Sequence, residues 1–172
     1  MFESLERRTY LSATSIDGLL SIEGVEGKNK IAIIAGEQAG EVMVSGVDSI
    51  ENGTVFDGVT GILVRTFDGK DKITVGPQIV DPDGALISVV IDAGGGKNRI
   101  DGGEGSNSIT AGEGRNNVRG SMGDDVIRAA LGRNRVDGSM DGGTDGATDG
   151  TSGANADVPT DTGSTADGDE RR

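Results

Sequence analysis

GKNRIDGGEGSNSITAGEGRNNVRG, residues 96–120, sets Gly, then Asn two residues later, then a branched Ile or Val two further on, and repeats that order every nine residues. Gly123, Asp125 and Ile127 follow in step, and then Gly132, Asn134 and Val136. Five units run without a break: 93–101, 102–110, 111–119, 120–128 and 129–137. Glycine permits positive φ, so the first half of each unit can turn sharply, and the branched eighth residue favours a short extended segment. Turn and strand in alternation make a coil of two units, 18 residues, and successive coils stack at the strand spacing of about 4.8 Å. The expected fold is all-β: a right-handed parallel β-roll, or β-solenoid.

That geometry predicts columns. Ile100, Val118 and Val136 lie over one another in one sheet, and Ile109 and Ile127 in the other. One branched side chain per unit is too little burial to offset the ordering of nine backbones, so the turns need a further tie. The sixth position reads Asn98, Asn107, Asn116, Asp125 and Asn134.

Outward from the repeats the chain divides by composition. Residues 1–14, MFESLERRTYLSAT, form a leader-like segment. Residues 15–92 alternate β-branched and polar residues in short runs, LLSIEG, KIAII, EVMVSGV, GILVRTF, KITV and ALISVVID, separated by Gly, Asp or Asn, which predicts strands and no helix. Residues 138–172, rich in Asp, Gly and Thr, hold too little apolar surface to offset their ordering and read as a disordered acidic tail.

With 172 residues, 33% hydrophobic and 2% aromatic, there is little material for a thick core. Glycine is the commonest residue at 31, but only 3 prolines and no triplet period exclude collagen. The absence of Cys and His removes disulfides, thiol nucleophiles, the usual zinc sites and imidazole chemistry. Of the net charge of −13, residues 1–92 carry 15 acids and 7 bases, the repeats 93–137 carry 6 and 7, and the tail 8 and 2. The repeats sum close to neutral, and no basic stripe joins aromatic residues, so nucleic acid is not an expected partner. No run of 18 apolar residues is present, so no helical membrane span is expected, and Leu11–Leu20 is too polar for the core of a cleavable secretion signal.

At the level of motif, the units resemble the RTX, or haemolysin-type calcium-binding, nonapeptide G-G-x-G-x-D-x-U-x. The resemblance covers 93–137 and returns as isolated units at Gly24–Ala32, GVEGKNKIA, and Phe67–Val75, FDGKDKITV. It implies that the sixth-position Asp and the carbonyls of the glycine turn bind Ca²⁺ between successive coils, and that the protein is secreted or displayed on a cell surface in a structural or adhesive role. Its partners would be calcium ions and other surface proteins or a larger assembly. LERRTYLSA, Leu5–Ala13, is also similar to the Leu-Glu-Pro-Arg-type leader of large exported bacterial proteins, with Arg7 in place of Pro.

Two ties between coils stay open. Calcium is a hard cation that accepts neutral oxygen as well as carboxylate, which makes Asn98, Asn107, Asn116 and Asn134 candidate ligands beside Asp71 and the Asp124–Asp125 pair. Four of the five repeat positions have lost the carboxylate, however, and Lys97, Arg115 and Arg133 stack beside the expected ion, so weak or partial Ca²⁺ binding is expected. The alternative is a metal-independent solenoid, in which stacked asparagines hydrogen-bond amide to amide.

Elsewhere, Asp81 and Asp83 around Pro82 read as a turn, and GGGKNRIDG lacks the Lys-Ser or Lys-Thr pair and the helix of a phosphate loop. No nucleophile motif appears, and the chain reads as a non-enzyme.

Overall fold

The computed structural model describes residues 11–46, 50–139 and 146–149; the leader reading at 5–10 and most of the tail reading fall outside them. The described residues are all-β. They form fourteen strands: β1 Ser12–Ile16, β2 Leu19–Glu23, β3 Lys30–Ala35, β4 Val42–Gly46, β5 Ile50–Phe56, β6 Gly61–Arg65, β7 Lys72–Val75, β8 Val89–Asp92, β9 Arg99–Asp101, β10 Ser108–Ala111, β11 Asn117–Ser121, β12 Val126–Ala129, β13 Arg135–Ser139 and β14 Gly146–Asp149. Residues 146–149, which composition assigned to the disordered tail, pair in parallel with β12.

Two seven-stranded mixed sheets result, in the orders β1-β2-β6-β8-β10-β12-β14 and β13-β11-β9-β7-β3-β4-β5. From β6 onward successive strands alternate between them, and each pairs in parallel with the strand two ahead. Val90, Ser108 and Val126 are in register at the 18-residue period, as are Arg99, Asn117 and Arg135. The columns Ile100–Val118–Val136 and Ile109–Ile127 have the register that the nine-residue period predicts.

The strands of 15–92 continue the same two sheets at longer intervals. Lys72 pairs with Arg99, 27 residues on, and Lys30 with Lys72, 42 residues on. The extra residues are extruded from the stack: residues 76–88 carry the Val80–Leu86 antiparallel bridge, and β4–β5 is an antiparallel hairpin added to β3. With β1 antiparallel on β2, antiparallel strands end both sheets on the N-terminal side, β1 in one and β5 in the other. Leu11, Ala13 and Phe56 pack onto the core from there.

The interior narrows along the chain. Before the repeats each core strand buries two branched residues, such as Leu20 and Ile22, Ile31 and Ile33, or Val89 and Ile91. Within the repeats it buries one, with an alanine or a glycine two residues on: Ile109 with Ala111 and Ile127 with Ala129, Ile100 with Gly102 and Val118 with Gly120. The space at the turn is filled by the sixth-position side chains, which makes their polar chemistry part of the core.

Candidate functional site: the inward sixth position

Backbone extension through each turn sends alternate side chains in opposite directions. The sixth residue points inward while the fifth and seventh face solvent. Asn98, Asn107 and Asn116 are 1–2% exposed, Asp71 2% and Asp125 0%, and Asn134 is half-buried at the C-terminal end. Asn29, 5% exposed, belongs to the same set, and sequence reasoning missed it. It was legible as the sixth residue of the isolated unit Gly24–Ala32, but the 42 residues between it and Asp71 hide the stacking.

The set divides between two turns of the coil. Asn29, Asp71, Asn98, Asn116 and Asn134 form one column, and Asn107 and Asp125 stack in the other. In the first column each side-chain Oδ1 accepts the backbone N–H of the sixth residue one coil earlier: Asn29 N to Asp71 (2.9 Å), Asp71 N to Asn98 (3.1 Å), Asn98 N to Asn116 (3.2 Å) and Asn116 N to Asn134 (3.2 Å). In the second, Val89 N donates to Asn107 (3.0 Å) and Asn107 N to Asp125 (2.9 Å). Parallel bridges Gly27–Gly69–Gly96–Gly114–Gly132 run alongside the first column. There the glycines are required by contact: a Cβ on Gly96 would lie 2.0 Å from Gly69 O, and one on Gly114 1.9 Å from Gly96 O.

The amide nitrogens complete the tie within each turn. Asn98 Nδ2 donates to Ala93 O (3.0 Å) and Gly94 O (3.2 Å), Asn107 Nδ2 to Gly105 O (2.8 Å) and Gly103 O (3.3 Å), Asn116 Nδ2 to Gly112 O (2.8 Å), and Asn134 Nδ2 to Ala130 O (2.5 Å). Amide-to-amide bonds join Asn116 to Asn134 (3.0 Å), and Asn29 and Asn107 donate to the carboxylates of Asp71 (2.8 Å) and Asp125 (3.1 Å). A cation at an asparagine turn would therefore have to sit against the hydrogens of an amide that already holds the turn carbonyls.

The carboxylate turns differ. Asp71 has no N–H to offer its own turn, and its Oδ2 is buried without a hydrogen-bond partner. Thr66 Oγ1, also buried, is close enough to favour the charged carboxyl slightly but makes no well-formed hydrogen bond. Burial pushes the Asp71 carboxyl above its ordinary value of 3.8, against the opposing hydrogen bonds from the Asn29 side chain and backbone, and the charge of Asp68 pushes the same way. This orphaned carboxylate oxygen fits a hard cation. In both carboxylate turns the residue four before the acid is a non-glycine held at positive φ, Phe67 at 62° and Ser121 at 82°, a conformation costing about 1–3 kcal/mol.

Asp124 and Asp125 are not brought together on one side. Asp125 is inward and Asp124 is exposed, with its backbone N–H on Ser106 Oγ (3.3 Å), because neighbours in extended backbone face opposite ways. Asp81 closes a turn, its Oδ1 accepting Asp83 N and Ala85 N, both at 2.9 Å. At the ninth position Arg119 lies between Asp101 and Asp137, 3.9 Å from the latter. Among the described residues no group of three or more acidic side chains is arranged to hold a metal ion.

Residues 89–109, 101–136 and 110–145 match the family model of the RTX calcium-binding nonapeptide repeat (4 copies). No curated protein and no solved structure matches the chain.

Proposed function

We propose that this chain, whose residues 89–145 carry RTX-type calcium-binding nonapeptide repeats, is a structural β-roll module in which asparagine amides tie most coils together and calcium is held only at carboxylate turns, Asp71 first. The observation that carries this reading is the contrast at one position of the turn. Asn98, Asn107, Asn116 and Asn134 spend an N–H on the turn carbonyls, whereas Asp71 buries an oxygen with no partner. Calcium bound there would join Asp71 Oδ2 to oxygens of its own turn. It would also remove the cost of a desolvated charge.

The repeats support a non-catalytic role in a secreted or cell-surface protein, where a rigid stack presents its outer faces to other surface proteins or a larger assembly. Calcium at a few coils rather than all would make the module firm before it meets the ion. Binding at Asp71 would then tighten the junction between the N-terminal coils and the repeats.

The metal-free reading of Asp71 is a retained proton, favoured by the same burial. A folded state that holds this proton more tightly than the unfolded chain has its full stability below pH 3.8 and loses it as pH rises through the higher folded value. Asp71→Asn is expected to abolish that loss and raise the midpoint of thermal unfolding at neutral pH in chelator, since the new amide can donate where the carboxylate cannot. Thermal melts of both proteins, with chelator and across a calcium titration, test the two readings together. The wild type should keep its β-sheet circular dichroism in chelator and gain stability with calcium, and Asp71→Asn should gain less. An equal calcium response in both proteins removes Asp71 as a ligand, and loss of wild-type β structure in chelator removes the amide tie.

A further inference from the structure

The near-neutral sum of the repeats conceals a segregation of charge that only the register reveals. Along one turn, backbone N–H groups of the fifth residues bond the glycine carbonyls one coil earlier: Lys70 on Gly27, Lys97 on Gly69, Arg115 on Gly96 and Arg133 on Gly114, each 2.8 Å. Lys28 follows Gly27, which is bridged in parallel to Gly69, so that Lys28, Lys70, Lys97, Arg115 and Arg133 stand in one column, all exposed. The seventh residues form a second column two positions on, Lys30, Lys72, Arg99, Asn117 and Arg135, paired in register strand to strand and also exposed.

Nine of the chain's 16 Lys and Arg therefore lie on one ridge of a protein whose net charge is −13. Five rungs at about 4.8 Å make it about 19 Å long, and the columns are about 7 Å apart. Like charges directly opposite on neighbouring strands are destabilising, so the fold does not gain from this arrangement. Nor does the turn require it: the equivalent positions of the other turn are Ser106, Ser108, Asp124 and Val126. Among the described residues no acidic side chain is in ion-pairing distance of the nine cations.

We propose that this ridge is a binding site for a linear acidic polysaccharide carrying one carboxylate per sugar. Such a chain spaces its charges by about one sugar ring, close to the rung spacing of about 4.8 Å, so that each carboxylate meets one rung, a pair of cations at four rungs and Arg115 alone at the fifth. Duplex DNA offers a charge every 1.7 Å along its axis, or every 3.4 Å along either of its strands, roughly, neither in step with the rungs. The ridge also has no aromatic residue on which bases would stack. Acids border it on both sides, with Glu26, Asp68 and Glu113 at the third positions and Asp101 and Asp137 at the ninth, where Arg119 stands between them. Those borders repel a broad anionic surface such as a membrane and leave room for a narrow chain along the line of cations. The proposal is independent of calcium at Asp71, which faces inward.

The test is binding of the full chain to a polygalacturonate oligomer in chelator, so that calcium cannot bridge carboxylates. Binding is expected at low salt and should weaken about tenfold or more between 50 and 200 mM salt, as ion-release binding does. The double variant Lys97→Glu, Arg99→Glu should lose at least tenfold in affinity, and the neutral double variant Lys97→Gln, Arg99→Gln should lose less but measurably. Arg128→Glu, on the other sheet, should bind within twofold of the wild type, with circular dichroism confirming that each variant is folded. Absence of low-salt binding by the wild type overturns the proposal, as does an equal loss in Arg128→Glu. Equal or tighter binding of single-stranded DNA overturns the assignment to polysaccharide.

Discussion

Replacing Asn98, Asn107, Asn116 and Asn134 together by aspartate is expected to turn a chain that folds in chelator into one that folds only with calcium. Each substitution exchanges an inward N–H donor for an oxygen and turns it toward carbonyls that the amide now holds, at Ala93, Gly94, Gly103, Gly105, Gly112 and Ala130. Each also places a carboxylate one coil from another. The new acid at 98 would neighbour Asp71 and that at 107 would neighbour Asp125, both buried. Like charges about 4.8 Å apart repel by about 3 kcal/mol per neighbouring pair at an effective dielectric of about 20, more than a marginally stable fold can absorb several times over.

Calcium would reverse the sign of the same contacts, since carboxylates and turn carbonyls facing one another are the oxygen cage it requires. The β-sheet circular dichroism should vanish in chelator and return with a midpoint in the range of about 10⁻⁴–10⁻³ M calcium, as for extracellular modules. A four-aspartate variant that folds equally well without the ion would show that these side chains do not stack inside the coil.

Asn116→Ala is expected to cost about 3 kcal/mol. The side chain serves three groups: its Oδ1 accepts Asn98 N (3.2 Å), and its Nδ2 donates to Gly112 O (2.8 Å) and Asn134 Oδ1 (3.0 Å). At 1% exposure water cannot replace it, and each buried group left unpaired costs about 1–3 kcal/mol, with the total reduced by relaxation around the cavity. For a chain of this size that is a fall of roughly 6–12 °C in Tm. The control is Asn117→Ala, one residue along: that side chain is exposed, and its removal should change stability by less than about 0.5 kcal/mol. Equal effects of the two substitutions would remove the hydrogen-bonded column as the source of stability.

The nine-residue period determined much of this protein without any tertiary information. Glycine early and a branched residue eighth leave the chain only a turn and a short strand per unit, so the all-β character and the register of Ile100 on Val118 and Ile109 on Ile127 follow from spacing alone. The inward sixth position follows too, because alternation along an extended segment puts it on the same side as the eighth. Tertiary structure decided which residues share a column once the period breaks. Lys30 meets Lys72 across 42 residues and Lys72 meets Arg99 across 27, because hairpin and loop insertions leave the stack without disturbing strand pairing. Asn29 and Asp71 thereby join the asparagine column, and Lys28, Lys30, Lys70 and Lys72 extend the basic ridge. The sequence sets Asp71 apart as a carboxylate among asparagines, but it does not show that the neighbouring amides hold their turn carbonyls while Asp71 Oδ2 is buried without a partner. That difference depends on whether a turn carbonyl faces a donor or another oxygen, a matter of a few ångströms that only packing sets.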